Sequence, residues 1–403
     1  MNAAPPPMTA PKTERLVSLD IFRGLVIVVM TIVNFLSPVH GVPAWLKHRP
    51  EALEGYTLAD VVFPAFLFIV GVAIPFSLQR RLDRGDSIVS LIGKIIVRSA
   101  ALVFLGVVTV NHSIYSESAS FLTKPLWFLL TMLSVVAIWQ VCPSDASPCR
   151  KRIHRMIQIG GVICLAVLLC LFRGKDESGQ IVWLQSLWWG MLGYIGWAYL
   201  VAGLCWLIFR NNTTALAGAM WLMIIFYIAD RHGAFAWTGI REAEPFSIGY
   251  LFGTNPATVM VGVIVGAMLQ SGKARACVLL AFGACLYTAG SLLRPLHGIN
   301  KTAHTDAYAL VAGGICCALF AATYYIVDVR HWKKWGTAVI PIGQNALLAY
   351  ILPDMMKDVF ALFGRDVYWS REAPSGAFSA ALLTAVILVI VYLLTRLRVI
   401  LRF

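Results

Sequence analysis

Charge is what this sequence has least of. Only 13% of its 403 residues are Asp, Glu, Lys or Arg, against roughly 25% in soluble globular domains, while 59% are apolar. An ordinary soluble domain is excluded, because the apolar residues recur in blocks of about twenty, the length that crosses a ~30 Å hydrocarbon layer at 1.5 Å per residue. Acidic residues are scarcer than basic ones, 20 against 33, for a formal charge of +13. That excess does not point to nucleic acid, because the cations gather on no single face or arm. They fall in short clusters between apolar blocks, as topology signals do. The nine cysteines include no C-x-x-C pair and no Cys/His metal spacing. Seven of them (Cys164, Cys170, Cys205, Cys277, Cys285, Cys316 and Cys317) lie inside apolar runs and read as small buried hydrophobes. Cys142 and Cys149 flank a loop expected in the cytoplasm, where a disulfide is not expected. No two histidines stand four residues apart, so no metal is expected. No cleavable leader is visible either: Met1 to Lys12 is rich in Pro and Ala, and the first apolar run lacks a small-residue cleavage site. Inverted repeats of the kind that build many transporters are also missing, with Pro64, Pro75, Pro295 and Pro341 scattered.

What is present is a series of about twelve apolar stretches, near 20–37, 58–79, 88–110, 121–141, 154–172, 187–209, 213–229, 254–270, 276–293, 306–327, 337–353 and 376–396. The pattern predicts an all-α polytopic membrane protein of about 10–12 transmembrane helices. The stretches 254–270 and 276–293 are rich in Gly, Ala and Ser, which permit close helix contact in lipid, so both are expected at the centre of the bundle. With the N-terminus inside, 21 of the 33 Lys and Arg residues fall on the cytoplasmic side, which places both termini there. Residues 1–14 then read as a flexible cytoplasmic N-terminus and 15–403 as one transmembrane domain. The loops 38–57, 111–120, 173–186, 230–253, 294–305 and 354–375 become external; they hold Trp, His and acidic residues, and long loops carry function.

Polar residues inside or beside the spans are the candidate chemistry. Asp20 and Arg23 stand at i and i+3 where the first span meets the cytoplasm. They form either a helix-start ion pair or a grip on a phosphate-bearing donor, for which Arg is suited. Asn34, near the outer end of that span, is either interhelical glue or a donor to a developing oxyanion. His48 sits in the following loop and Asp60 at the start of the next span. A loop histidine is ordinarily just solvated, but one bracketed by Asn34 and Asp60 can take a proton from an amine or hydroxyl, with the carboxylate orienting the ring. Asn300 and Lys301 precede another span and read as a donor or acceptor grip or, for the lysine, as an interfacial snorkeller. His297 and His304 flank them, and His112 stands at a further outer boundary. Trp188, Trp189, Trp237 and Trp369 read as an interfacial belt or as sugar-stacking surfaces.

Taken in order, these residues form a pattern. Ser18-Leu19-Asp20, Arg23-Gly24, Asn34, His48, and then Gly55, Thr57, Asp60, Val62-Phe63-Pro64, Phe66-Leu67-Phe68 and Gly71 resemble the heparan-alpha-glucosaminide N-acetyltransferase family, and more closely its bacterial relatives of unassigned substrate. Trp189-Gly190-Met191-Leu192-Gly193 with Ile195-Gly196 is similar to the Gly-rich start of a middle family helix. Asn300-Lys301-Thr302 with Thr305, Tyr308 and Leu310 resembles the N-K-x-x-x-T-x-Y-x-L element, and Ile342-Gly343-Gln344-Asn345-Ala346-Leu347 with Tyr350 the G-x-N-A-L-x-x-Y helix. The sequence departs in having Leu53 roughly where the family commonly has Trp, and 121–172 looks like an additional helical hairpin.

The resemblance implies a transmembrane acetyltransferase in a bacterial cytoplasmic (inner) membrane. Acetyl-CoA enters from the cytoplasm as donor, and the acetyl group passes to a sugar or glycan acceptor outside. His48, Asn34 and Asp60 become the expected catalytic residues; Arg23, Asp20, Asn300, Lys301 and Asn345 become the expected donor-binding ones. Whether His48 carries the acetyl group transiently or only deprotonates the acceptor stays open, as does N- against O-acylation. The oligomeric state stays open too, and a close-packed homodimer is compatible. The rival classes are a sugar or anion permease, with His48, Asp60 and Lys301 along the path, and an inactive scaffold.

Overall fold

The computed structural model describes residues 16–143, 145, 147–210, 212–238, 247–272 and 275–401. The expected N-terminal segment 1–14 lies outside the described residues. The chain is an all-α integral membrane protein. Among the described residues, ten helical segments are long and apolar enough to cross a membrane. In chain order the helices are α1 (Val17–Leu36), α2 (Leu58–Leu82), α3 (Ile88–Asn111), α4 (Lys124–Trp139), α5 (Pro148–Cys170), α6 (Gly190–Phe209), α7 (Thr213–Arg231), α8 (Ile248–Phe252), α9 (Thr254–Gln270), α10 (Ala276–His297), α11 (Asp306–Tyr324), α12 (Ile340–Gln344), α13 (Ala346–Leu362) and α14 (Ser375–Arg396). Every one of the twelve apolar stretches is helical. Two of them fall short of a full span: α4 has 16 residues, and 337–353 is divided into α12 and α13. Among the described residues there is a single two-stranded sheet, Gly174–Lys175 with Ile181–Val182, in the loop 173–186.

Segments that the charge pattern groups on one side touch one another. His40 bridges Glu372 and Tyr115 bridges Gly174 at the outer end, while Gln140 bridges Leu401 at the other. At that inner end Asp328 Oδ2 accepts from the Ser18 N–H at 3.2 Å, covering an orphan amide in the first turn of α1.

α2 and α9 form the centre. A methyl on Gly71 would overlap the Val259 carbonyl, and one on Gly262 the Phe68 carbonyl, so backbone meets backbone where the two helices cross. Every residue of α9 from Thr254 to Ala267 is buried. The second small-residue stretch behaves differently from expectation. α10 buries only Leu279, Gly283, Leu286 and Gly290, a single stripe against α11, and turns Val278, Leu280, Leu292 and Leu296 outward. Its small residues permit close contact with α11 alone, at Gly283 against Cys317 and Gly314 and at Gly290 against Ala307 and Val311, and leave the remaining face exposed. α10 is therefore peripheral. The α4–α5 hairpin packs through Trp127, Phe128, Met132 and Leu168 onto Leu348 and Ile351 of α13.

Candidate active site

The site begins with the start of α2. Thr57 is its N-cap and Asp60 the third helical residue, and Asp60 Oδ2 accepts the Thr57 N–H at 3.0 Å, the carboxylate half of a capping box. The same oxygen accepts the Arg49 N–H at 3.2 Å, and the Thr57 hydroxyl donates to the Lys47 carbonyl at 2.7 Å. The loop carrying His48 is thus pinned on both sides to the first turn of α2. Asp60 Oδ1, the remaining oxygen of a fully buried carboxylate, lies 3.0 Å from His48 Nδ1. Pro64 explains a further contact. It has no N–H to return to the carbonyl four residues back, which is that of Asp60. The buried Tyr308 hydroxyl of α11 fills the vacancy, donating to Asp60 O at 2.6 Å.

Lys301 enters from the loop before α11. Asn300 shapes that loop: its Oδ1 accepts the Ala303 N–H at 3.1 Å, its backbone N–H donates to Thr305 Oγ1 at 3.1 Å, and its Nδ2 donates to the Glu51 carbonyl at 2.6 Å. Gly55 N–H to the Ile299 carbonyl and the Arg294–Glu54 ion pair, at 2.8 and 2.7 Å, stitch the two loops together. The turn delivers Lys301 Nζ to 2.9 Å from His48 Nδ1 and 3.6 Å from Asp60 Oδ1. With 17% of its side chain exposed, Lys301 is not an interfacial snorkeller.

One proton decides how these groups share contacts. Nδ1 cannot donate to Asp60 and accept from Lys301 at once. Placing the proton on Nδ1, facing the carboxylate, leaves Nε2 with its lone pair, and Nε2 has no protein partner among the described residues. Burial pushes the Lys301 amine below the ordinary lysine range, and the Asp60 carboxylate partly opposes this. Nearby, the deeply buried His304 is brought down to about 4 by burial, with the Lys301 charge adding to the effect. Its Nδ1 donates to Asn255 Oδ1 at 3.1 Å.

His48, Asn34 and Lys301 line a cavity of about 600 Å³ whose opposite end is lined by Asp20, Arg23, Arg80 and Arg98. Asp20 and Asn34 are fourteen residues apart on α1, so the cavity follows this helix for roughly 20 Å. Its walls between the two ends are apolar: Met30, Val62, Phe66, Val70, Ile195 and Leu347. Asn34 is exposed to the cavity and has no hydrogen-bond partner among the described residues. Arg23 Nη1 stands 3.9 Å from Asp20 Oδ1. The Arg98 guanidinium lies 4.7 Å over the Tyr199 ring with Nε unpaired among the described residues.

The eight expected site residues therefore divide. Six line or adjoin one cavity: His48, Asn34, Asp60 and Lys301 at the outer end, Asp20 and Arg23 at the inner one. Asn300 is occupied in shaping the loop. Asn345 is fully buried off the cavity, donating to Thr395 Oγ1 at 3.1 Å and the Val399 carbonyl at 2.7 Å and accepting the Leu401 N–H at 3.1 Å. It fastens the C-terminal segment, and Leu401 lines the inner end of the cavity. Trp188, Trp189, Trp237 and Trp369 stay off the cavity. Arg80 and Arg98 were missed by sequence reasoning, which read them as topology signals. The signal was there for Arg98, an arginine ten residues into the apolar helix α3.

The family described as a domain of unknown function (DUF5009) matches residues 15–264, more than half of the chain. The chain is also similar to heparan-alpha-glucosaminide N-acetyltransferase of Homo sapiens, 25% identical over 382 residues, covering 86% of this chain and 54% of that protein. To the Mus musculus protein of the same name it is 43% identical over 98 residues, 24% of this chain and 14% of that one. The chain thus spans about half the length of the human relative. A continuous match from the start of α1 through most of α9 takes in the His48 loop, the capped start of α2 and all three cavity arginines, and on that match the chain belongs to the DUF5009 family.

Proposed function

We propose that this protein is a membrane-embedded acyltransferase that moves an acetyl group from cytoplasmic acetyl-CoA to a sugar or glycan acceptor on the external side. The observation that carries the reading is one cavity with a cationic end and a basic-imidazole end. Arg23, Arg80 and Arg98 suit the phosphates of a CoA donor, since guanidinium pairs with phosphate in a fixed fork. The apolar middle suits the uncharged pantetheine arm. At the outer end His48 Nε2 takes the proton of the acceptor amine or hydroxyl as it attacks the thioester, and the Asn34 amide receives the developing oxyanion. Asp60 Oδ1, 3.0 Å from Nδ1, accepts from the Nδ1–H tautomer, the one that leaves the Nε2 lone pair for the acceptor proton. The names of the relatives support the acetyl transfer, and the Lys/Arg asymmetry supports the sidedness.

The test is acetyl-CoA turnover by purified protein, wild type against His48→Ala. CoA release, or acetyl label retained on the protein, that disappears in His48→Ala is the expected result. A folded, monodisperse sample that neither binds nor consumes acetyl-CoA when acceptor extracts are supplied sinks the reading. Solute uptake into vesicles without acyl transfer would replace it with a permease.

A further inference from the structure

Asp60 Oδ1 and Lys301 Nζ both contact the same ring nitrogen of His48, at 3.0 and 2.9 Å. A solvated or merely structural lysine does not explain this. An ammonium at that distance from a protonated Nδ1 sets donor against donor, and an unprotonated Nδ1 sets its lone pair against the carboxylate. A neutral Nζ beside Nδ1–H removes the first conflict, and an ammonium that donates to the unprotonated Nδ1 while 3.6 Å from Asp60 Oδ1 offsets the second, so passage of one proton from Nδ1 to Nζ connects two workable states. We propose that Lys301 is the second proton carrier of the site, exchanging a proton with His48 Nδ1 so that the imidazole serves as base and then as acid at Nε2 while remaining neutral. The inference rests on the acyl-transfer reading above and names the partner that reading leaves out.

In the starting state Nδ1–H faces Asp60, Nε2 is unprotonated and Lys301 is a neutral amine. The acceptor attacks the thioester carbonyl, its proton passes to Nε2, and the Nδ1 proton passes to Lys301. The resulting ammonium lies 3.6 Å from Asp60 Oδ1. Collapse of the tetrahedral intermediate breaks the C–S bond, the departing thiolate takes the Nε2 proton, and Lys301 returns its proton to Nδ1. Acetylated acceptor and CoA thiol are the products, with no proton gained or lost by the protein. Burial of the Lys301 amine favours its neutral form, in keeping with this role.

The groups that face Lys301 come from several elements. Asp60 of α2 and His48 of the preceding loop touch it, and His304 of its own loop shares its field. Tyr308 of α11 bonds the Asp60 carbonyl. Asp60 is the one carboxylate in contact with Nζ among the described residues.

Release of CoA from acetyl-CoA, with water as acceptor, is measured on the full chain in lipid nanodiscs from mildly acidic to alkaline pH. Wild type, Lys301→Met and Lys301→Arg are compared, with thermal unfolding followed for each. Both variants are expected to lose about tenfold or more in kcat, as for loss of a general acid–base partner, with a much smaller change in KM. The wild-type profile is expected to rise below the ordinary lysine range, where Lys301 loses its proton, and that limb is expected to be missing from both variants. A fixed cation supplied by Arg restores a purely electrostatic role but not a proton carrier. Recovery of turnover in Lys301→Arg, or survival of the limb in Lys301→Met, overturns the proposal. Reductive methylation of Lys301 followed by peptide mass spectrometry titrates the amine without turnover; a midpoint in the ordinary lysine range also overturns it. Absence of His48-dependent CoA release from wild type would instead remove the acyl-transfer reading, a separate outcome.

Discussion

Among the described residues, two histidine–aspartate pairs at the outer end of the molecule meet through Nδ1 with equal geometry, apart from the looser His112–Asp358 contact at 3.3 Å. His48 Nδ1 stands 3.0 Å from Asp60 Oδ1, and His297 Nδ1 stands 3.0 Å from Asp306 Oδ1; both carboxylates are fully buried in the first turn of a helix. Their surroundings differ. His48 is 39% exposed and lines the cavity, and the second oxygen of Asp60 takes two backbone N–H donors. His297 is 13% exposed and walled in by Tyr227 and His232, each with ring centroids 5.6 Å away, and Asp306 Oδ2 has no partner among the described residues. The dyad is therefore a common helix-start arrangement. On the proposed reading, what sets the His48 pair apart is an Nε2 with no protein partner among the described residues, facing a cavity, with Lys301 beside it.

The comparison breaks most directly by removing each histidine in turn. His48→Ala is expected to lower acetyl-CoA consumption by roughly a hundredfold or more, the usual range for a general base, while His297→Gln leaves it within about threefold. Equal losses in the two variants, measured on samples of matched thermal stability, would mean that the cavity does not distinguish the pairs. The next effect is at the inner end. Arg80→Gln with Arg98→Gln is expected to raise KM for acetyl-CoA by about tenfold or more, one or two charge-assisted hydrogen bonds, and to leave the outer chemistry in kcat largely intact. A fall in kcat at constant KM would place the donor phosphates elsewhere.

Much of this division was legible in the sequence, and the part that was not has a physical reason. Helix positions follow from apolar run length, and the sheer cost of unpaired polar groups in lipid made Asp20, Arg23, Asn34 and Asp60 conspicuous. Spacing cannot say which of two adjacent polar residues faces inward. Asn300 and Lys301 were equal candidates, yet the first is used up in the turn that aims the second. Asn345, buried like Asp60, binds the C-terminal segment 54 and 56 residues away, a contact that no local pattern encodes. Small residues showed that α9 and α10 could pack closely, but not on how many sides.

His304 sharpens the contrast between exposed and enclosed imidazoles through pH. Burial holds its folded-state value at about 4, below the ordinary imidazole value of 6.5. The unfolded chain therefore takes up the proton first, and folding stability falls as pH drops from about 6.5 towards 4. At pH 5 the loss is about 2 kcal/mol. The acid-dependent fall in thermal unfolding temperature is expected to shrink in His304→Gln; an identical fall in both proteins would assign the effect to other groups.

The smallest effect tests whether the Pro64 vacancy matters to His48. Tyr308→Phe keeps the ring and removes the one hydroxyl that reaches the Asp60 carbonyl. The carbonyl is buried and cannot regain its helical partner, because residue 64 has no N–H. Leaving such a group unpaired costs about 1–3 kcal/mol, read as a lower unfolding temperature. Because that turn also holds the carboxylate beside His48, CoA release is expected to fall by a few-fold in kcat, with KM for acetyl-CoA unchanged, since the arginines proposed to hold the donor phosphates lie at the opposite end of the cavity. Restoring the N–H with Pro64→Ala in the Tyr308→Phe background should recover most of both losses. If it recovers stability without turnover, the tyrosine acts on the site by a route other than the freed carbonyl.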